Sequence, residues 1–433
     1  MLRPNSVDSR SSRDAGLALG AALLLSALVA LFISTPGTSD VRIWMRWMRA
    51  MDRLGVVDGF AAARGDYPPL TFCALWVFDE LAEALRWGRQ SAIKLLTVLF
   101  LVGSCLVYWR TALGPAGMKR LALGGALGWS LGLAGVGLGY LDILYTPLLL
   151  LLMHYLQSGR MGWPVAVLFW SCALIKWQPL ILAPFFLLFF ARKFVAGQRV
   201  FALQFLGVGA LGVLVCWSIF GNALVIAFQR AMSHQFLSGN AINFPWLMTH
   251  VLHLTDPGRF GPLDDGLCNY IKVSAWQFRI VPRILFVGFY GWALWRVLEP
   301  GLTFERWLRL AVAGYLAYFT FNVGVHENHL FVAAILVLYG ASRKIFSARE
   351  VLMIVGALNM NLLLFYGFSG NRVEDARVLG DVDLATVAAL LWVDWFVVWC
   401  VKELFSPKAF GARAGHNERA NEKSTEPVLE IAK

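Results

Sequence analysis

The chain has 433 residues, of which 58% are hydrophobic and only 15% are charged. Soluble domains are about 25% charged, so this composition excludes a soluble enzyme, a disordered chain and a disulfide-rich secreted module. A membrane-spanning helix uses about 20 apolar residues, and the apolar content suffices for about 12 spans. The apolar runs are long and unbroken, unlike the short alternating strands of a transmembrane β-barrel. We predict an all-α fold, a polytopic membrane helix bundle.

The net charge of +11 is typical of basic cytoplasmic loops that orient a membrane protein. The sequence has no phosphate-binding loop, zinc finger or RNA-binding signature, so we expect no nucleic-acid partner. Its six cysteines form no Cys-x-x-Cys pair, which gives little support to a metal or redox site.

The first apolar run, Gly16–Ser34, follows a basic tail at residues 1–15. Because no cleavage site and soluble domain follow it, we predict an uncleaved first span and a cytoplasmic N-terminus. The later apolar runs lie at about 92–109, 119–139, 143–157, 162–175, 177–191, 200–220, 281–297, 307–323, 329–341, 350–368 and 383–401.

One apolar segment, Pro68–Phe78, is only about half a span long and is followed directly by acids. If it crossed the membrane, the basic loop at 110–120 would lie outside. If it only dips in from the outer face, every short basic loop lies inside, so we predict about 12 spans and two cytoplasmic termini. The predicted units are the N-tail, 1–15; a membrane module, 16–220, with an outer loop at 35–91; a second outer loop, 221–280; C-terminal membrane helices, 281–402; and a disordered cytoplasmic tail, 403–433.

The first outer loop carries an amphipathic helix that begins near Asp40, a residue type that caps helices. An apolar stripe at helical spacing and a stripe of arginines follow it: Trp44, Trp47, Met48, Met51 and Leu54, and Arg42, Arg46, Arg49 and Arg53. This pattern predicts a helix in the outer membrane interface, whose arginines bind phosphate from headgroups or from a lipid-linked substrate. The simpler alternative is that Asp40 only caps the helix and the arginines only contact headgroups.

Four further polar turns interrupt or adjoin apolar runs on the predicted outer face: Gly65–Leu70, Gly139–Asp142, Lys176–Pro179 and Gly324–His329. Ionisable groups between spans are costly unless paired or solvated and mark functional sites by default. The alternatives are a solvated acid at Asp142, a snorkelling lysine at Lys176 and an ordinary polar loop at His326. A third metal ligand is missing near His326 and His329, so we favour phosphate binding over zinc there.

The order of these features resembles the GT-C superfamily of integral-membrane glycosyltransferases, from the first span to about residue 341. It looks most like the bacterial mannosyltransferase-like branch that uses polyprenyl-phosphate sugars. The resemblance rests on six features: Asp40 opening the first outer loop, Tyr-Pro-Pro-Leu from Tyr67, Gly-x-x-Asp at Asp142, Lys-x-Gln-Pro from Lys176, Asn-x-x-Asn-aromatic from Asn240, and His-Glu-x-His from His326. The chain departs from the family at two positions. Tyr140 stands where many members have the glutamine of Gly-Gln-x-Asp, and Asp40 is a single acid where other members have two adjacent acids.

The resemblance implies transfer of a mannose-like hexose from a polyprenyl phosphate to a hydroxyl of a lipid-linked or envelope glycan. This inverting single displacement would occur on the periplasmic face of the bacterial inner membrane. Asp40 would be the catalytic base. The resemblance assigns the donor phosphate to Lys176, His326, Arg42 and His329, and the sugar or acceptor to Asp66, Tyr67, Asp142, Gln178, Glu327 and Asn243. It implies no metal cofactor, and the partners are membrane lipids, the donor and the acceptor.

Two other functions stay open at this stage. A lipid-linked-sugar transporter or flippase would also need many spans and broken helices, although no repeat is visible and the polar residues gather on one predicted face. A glycan polymerase or ligase typically has a large outer loop rich in arginine and histidine, and the 221–280 loop holds few of either.

Overall fold

The computed structural model describes residues 20, 23–112, 118–195, 199–272, 277–371, 373 and 377–405, which are mostly helical. The predicted N-tail, the start of the first span and the tail beyond residue 405 lie outside the described residues. The first nine helices are α1 (Leu23–Phe32), α2 (Ser39–Ala63), α3 (Pro69–Ala84), α4 (Arg89–Thr111), α5 (Met118–Leu131), α6 (Thr146–Gln157), α7 (Trp163–Ile175), α8 (Ala183–Val195) and α9 (Arg199–Phe220).

The remaining helices follow a short connection after α9. They are α10 (Asn222–Met232), α11 (Phe244–Thr255), α12 (Pro257–Phe260), α13 (Gln277–Arg296), α14 (Phe304–Phe321), α15 (Phe331–Ser342), α16 (Ala348–Tyr366) and α17 (Leu384–Phe405). Two small sheets complete the described chain: β1 (Ser238–Gly239) pairs in parallel with β2 (Val325–His326), and β3 (Val378–Leu379) pairs antiparallel with β4 (Val382–Asp383).

Four helices of the described chain are long and apolar enough to cross a membrane: α4, α9, α16 and α17. Shorter apolar helical stretches accompany them at Leu23–Phe32, Leu121–Gly137, Leu141–Gln157, Trp163–Ile175, Gln178–Arg192 and Glu327–Ser342. The predicted helical fold is therefore confirmed, and four of its helices have the length and composition of membrane spans. The count of about 12 spans stays a prediction.

Successive helices meet at two opposite ends of the bundle. At one end, which we call the upper end, Lys94 near the start of α4 reaches the Phe32 carbonyl oxygen at the end of α1, 3.3 Å away. The Thr71 hydroxyl near the start of α3 donates to the Ile175 carbonyl oxygen at the end of α7. The segment between α1 and α4 thus leaves and rejoins the bundle at one end, as a segment that does not cross must do.

The lower end is held by contacts among the opposite helix termini. The Tyr108 hydroxyl at the end of α4 donates to the Leu338 carbonyl oxygen near the end of α15, at 2.7 Å. The Tyr339 hydroxyl of α15 donates to the side chain of Gln157 at the end of α6, at 2.6 Å. Helices α4, α6 and α15 therefore all end at the lower end and run in the same direction. Since α5 connects the lower end of α4 to the upper start of α6, it runs in the opposite direction.

Helix α2 packs its apolar face on the protein core. Trp44, Trp47, Met48 and Met51 are buried, whereas Leu54, which the sequence pattern placed in the same stripe, is exposed. The helix bends sharply at Gly55, whose φ of 77° is positive, so the regular helix of the stripe ends directly after Leu54. The predicted amphipathic helix is present, but most of its apolar face contacts protein.

An ion cluster ties three helices together at the lower end. The Arg309 guanidinium of α14 lies 2.6 Å from Glu350 of α16 and 2.5 Å from Glu403 of α17. Arg306, one turn earlier, also pairs with Glu403, and the Trp399 indole donates to Glu350. Both acids and both arginines are largely buried, so each charge depends on its partners.

We expect Arg309→Met to lower the free energy of unfolding by about 3 kcal/mol, because it leaves two buried carboxylates without their main partner. Arg349→Met is the matched control, since Arg349 is exposed at the same end and forms no ion pair within the described residues. Denaturant titration of both variants in detergent measures the difference. Equal stability of the two variants would show that the cluster contributes nothing.

Candidate functional site

A buried ion pair lies at the upper end of the bundle, where two helices are broken. Asp142 lies in a 3-10 turn, Leu141–Tyr145, that precedes α6, and Lys176 is the extended residue that ends α7. The Lys176 Nζ lies 2.5 Å from the Asp142 Oδ2, and their side chains are only 4% and 1% exposed. Because an isolated charge is expensive in an apolar interior, the pair accounts for the position of both residues.

Two neutral groups complete the environment of Asp142. The Tyr145 hydroxyl donates to Oδ1 at 3.1 Å, and the Asn328 side-chain amide donates to Oδ2 at 2.9 Å. Both carboxylate oxygens are thus occupied by protein donors, and the side chain is buried. This geometry favours the orientation of Lys176, rather than direct contact with a sugar, as the role of Asp142.

The Lys176 ammonium also lies 4.9 Å from the centre of the Tyr67 ring, a cation–π distance. Tyr67 packs in turn against Trp44 and Trp47 of α2. The Tyr-Pro-Pro-Leu run therefore joins α2 to the ion pair. Because Tyr67 covers Lys176, the ammonium is not exposed to solvent, and its charge affects neighbouring groups through the protein interior.

Asp40 lies next to this cluster, half-buried in the first turn of α2. Its carboxyl group does not cap the helix, because the Thr38 hydroxyl accepts the capping bond from the Asp40 backbone amide. The pKa of Asp40 is raised to about 6, and burial is the largest cause. The charge of Lys176 lowers this pKa, and the carboxylates of Asp66 and Asp142 raise it. The four groups therefore share one electrostatic environment.

A group of imidazoles lies beside these carboxylates. The ring of His326 lies 4.8 Å from that of His234 and 5.4 Å from that of His329, between centroids. The pKa of His326 is lowered to about 3 by burial, then by His234 and Lys176, so this imidazole is neutral at pH 7. His329 accepts from or donates to the Tyr318 hydroxyl at 2.9 Å. Asp66 lies 3.7 Å from His234.

The segment that contains β1 holds His326 in place through backbone pairing. In the parallel pairing of β1 with β2, Gly239 is the partner of His326. A side chain at Gly239 would overlap the His326 ring, so glycine is required there. Glu327, the next residue, is buried and accepts a hydrogen bond from the Tyr140 hydroxyl. The His-Glu turn thus contacts the turn that carries Asp142, and His234 connects it to Asp66.

The other predicted site residues have different surroundings. Arg42 is exposed two residues after Asp40, at one end of the arginine stripe. The Gln178 Oε1 is buried and has no hydrogen-bond partner within the described residues, so it can accept from a ligand hydroxyl. Asn243 is fully buried and caps α11, while its amide donates to the Phe319 carbonyl oxygen. The structure therefore gives Asn243 a role in the fold and leaves it no free group for a sugar.

Sequence reasoning missed the neutral partners of the site. Tyr145 follows Asp142 by three residues, which is hydrogen-bonding distance in a helical turn. Asn328 lay inside a turn that was already singled out for its polarity, and a buried acid would have indicated such a donor. His234 had no such signal, since only the pairing of β1 with β2 brings its segment to the His-Glu turn.

No protein-family model matches the chain, and no curated protein matches it. The described residues hold no group of three or more histidine, cysteine or acidic side chains that could bind a metal ion.

We expect Asp142→Asn and Lys176→Met each to lower the free energy of unfolding by about 3 kcal/mol, because each leaves one buried charge unpaired. The double variant should be closer to the native protein than the two single losses added together, since it buries no unpaired charge. Denaturant unfolding of the four proteins in detergent completes this cycle. Strictly additive losses would mean that the two charges do not interact.

Proposed function

We propose that this protein is a membrane glycosyltransferase that moves a hexose from a polyprenyl phosphate to an acceptor hydroxyl. The observation that carries the proposal is the half-buried carboxyl of Asp40, with a pKa raised to about 6. It lies beside a buried acid–lysine pair at one end of an apolar helical bundle. A lipid-linked donor brings its reacting phosphate to this depth, at the edge of the membrane.

Charge distribution supports an outer location for this end of the bundle. Basic residues lie at the lower ends of many helices: Arg110, Arg160, Arg192, Arg296 and Arg343. Short basic loops remain in the cytoplasm. The alternating helix directions, with the segments 33–88 and 221–272 both at the upper end, support 12 spans: α1, α4 to α9, and α13 to α17. The upper end then faces the periplasm, and both termini are cytoplasmic.

Asp40 is proposed as the general base. The acceptor oxygen attacks the anomeric carbon and transfers its proton to the carboxylate, while the bond from carbon to the phosphate oxygen breaks. The polyprenyl phosphate leaves with the electron pair, and the configuration at carbon is inverted. A pKa near 6 suits this task, because the carboxyl is ionised at pH 7 yet is a stronger base than an ordinary aspartate.

The leaving phosphate needs donors that do not require deprotonation. We propose Arg42, exposed next to Asp40, and the neutral imidazole of His326. Lys176 supplies positive charge from below, in the orientation that Asp142 maintains. The segment around β1 covers the His-Glu turn and limits the access of water, which would otherwise hydrolyse the donor.

The decisive test is Asp40→Asn, which keeps the shape of the side chain and removes the base. We expect transfer to fall by about 100- to 10,000-fold, while donor binding and detergent stability are retained. The purified protein is incubated with defined polyprenyl-phosphate hexoses and a hydroxyl acceptor, and donor consumption is followed by mass spectrometry. Asp58→Asn is the control, because Asp58 is an exposed acid on the same helix.

Two results would contradict the proposal. One is full transfer by Asp40→Asn. The other is native protein that consumes no donor but moves it across vesicle membranes without any acceptor, which would identify a transporter.

The pKa of Asp40 also sets a pH dependence. Since the ionised form is the base, the transfer rate should fall as the pH drops through about 6, well above the value of about 4 for an ordinary aspartate. Values of kcat/KM for the donor, measured from pH 4.5 to 8 on protein that stays folded throughout, test this, because this ratio reports the pKa of the free protein. An acid limb near 4 would show that Asp40 is not buried as described, or is not the base.

A further inference from the structure

Lys94 is a second buried lysine at the upper end, one turn into α4. It is 5% exposed. Its Nζ lies 3.0 Å from the Thr35 Oγ1, 3.3 Å from the Phe32 carbonyl oxygen and 3.5 Å from the Gly137 carbonyl oxygen, and it also contacts the Val136 carbonyl oxygen. None of its hydrogen-bond partners within the described residues is a carboxylate. The ammonium must therefore be balanced by something other than an acid.

Two chain reversals supply that balance. Phe32 ends α1, and Val136 and Gly137 end the π-helical turn that continues α5. Carbonyl oxygens at the end of a helix have no partner within it and carry roughly half a negative charge together. Two such ends amount to about one negative charge, which matches the single positive charge of the ammonium.

The two segments that Lys94 joins continue directly into the candidate site. Residues 33–38 lead to Asp40, and residues 137–139 lead to Tyr140 and Asp142. Beyond Lys94 the segments are linked by bonds from the Thr35 hydroxyl to the Gly137 carbonyl oxygen at 2.7 Å and from the Thr38 amide to the Leu138 carbonyl oxygen at 2.9 Å. The Trp44 indole then donates to the Gly139 carbonyl oxygen at 3.0 Å.

Close contact makes this junction sensitive to small shifts. A side chain at Gly139, whose φ is +83°, would overlap Val41, so the two segments have no space between them. A displacement of one segment relative to the other moves Asp40 relative to Asp142 and Lys176. Lys94 lies between the two segments, where they leave the helical ends at Phe32 and Gly137.

We infer that Lys94 is a positioning residue, which holds the segment of Asp40 against the segment of Asp142 by neutralising the ends of α1 and the α5 extension. Its effect on catalysis rests on the proposed function, whereas its effect on the two segments does not. Lys94 touches no substrate, and its contribution is to the relative placement of two carboxylates. A misplacement of about 1 Å can cost a factor of about 100 in rate.

The structural part is tested by hydrogen–deuterium exchange of the full chain in detergent. In Lys94→Met we expect amide exchange to rise by about tenfold in both peptides that cover 33–44 and 134–142, because the carbonyl ends lose their shared cation. Tyr108→Phe is the control: it deletes a buried hydrogen bond at the other end of the same helix and should leave both peptides unchanged. If Lys94→Met does not fold, Thr35→Val removes one anchor and should raise exchange in the same two peptides.

The effect of Lys94 on catalysis is tested by measuring kcat and the donor KM separately in folded protein. Lys94→Met should lower kcat by about 100-fold and change the donor KM by less than about threefold, whereas Tyr108→Phe should change neither. Unchanged exchange in both peptides, or exchange that rises over the whole chain, would overturn the inference. Native protein that transfers no sugar would contradict the proposed function alone, because the exchange measurement tests the effect of Lys94 on the two segments without requiring activity.

Discussion

The ion pair between Lys176 and Asp142 is the interaction on which the upper end of the bundle depends. Both charges lie where the surroundings are apolar, so each requires the other and the neutral donors of Tyr145 and Asn328. These four residues come from the turn before α6, the end of α7 and the turn before α15. Satisfying one buried charge thus fixes three chain breaks relative to one another, and the remaining turns assemble around them.

The same physical rule explains why the upper end is broken and the lower end is regular. At the upper end 3-10 turns at Leu141–Tyr145, Gln178–Leu182 and Glu327–Leu330 replace helix, and non-helical backbone inside a bundle persists where polar partners satisfy it. At the lower end the buried charges of Arg309, Glu350 and Glu403 are carried by intact helices, and they pair with each other and with Arg306. The half-buried Asp40 and the unpaired Oε1 of Gln178 lie where a helix begins or breaks.

Much of the helical layout could be predicted from apolar runs. The runs predicted at 200–220 and 350–368 match α9 and α16 within two residues at each end, because length and hydrophobicity are local properties. The run at 92–109 hid Lys94, since a single polar residue barely changes the hydropathy of a long window, and its partners are more than 40 residues away in sequence. The need of Lys176 for an anion was also predictable, but several acids were available, and only packing selected Asp142.

The sequence by itself determined that this chain is mostly apolar helix and which turns hold its buried polar residues, because every polar residue in so apolar a chain requires a partner or water. The tertiary structure alone decided which partner each one has. It buried the apolar face of α2 in protein, assigned Asn243 to a helix cap, and brought His234 to His326 through two strands of two residues each. These outcomes depend on contacts between segments far apart in the chain, whose energies no local pattern contains.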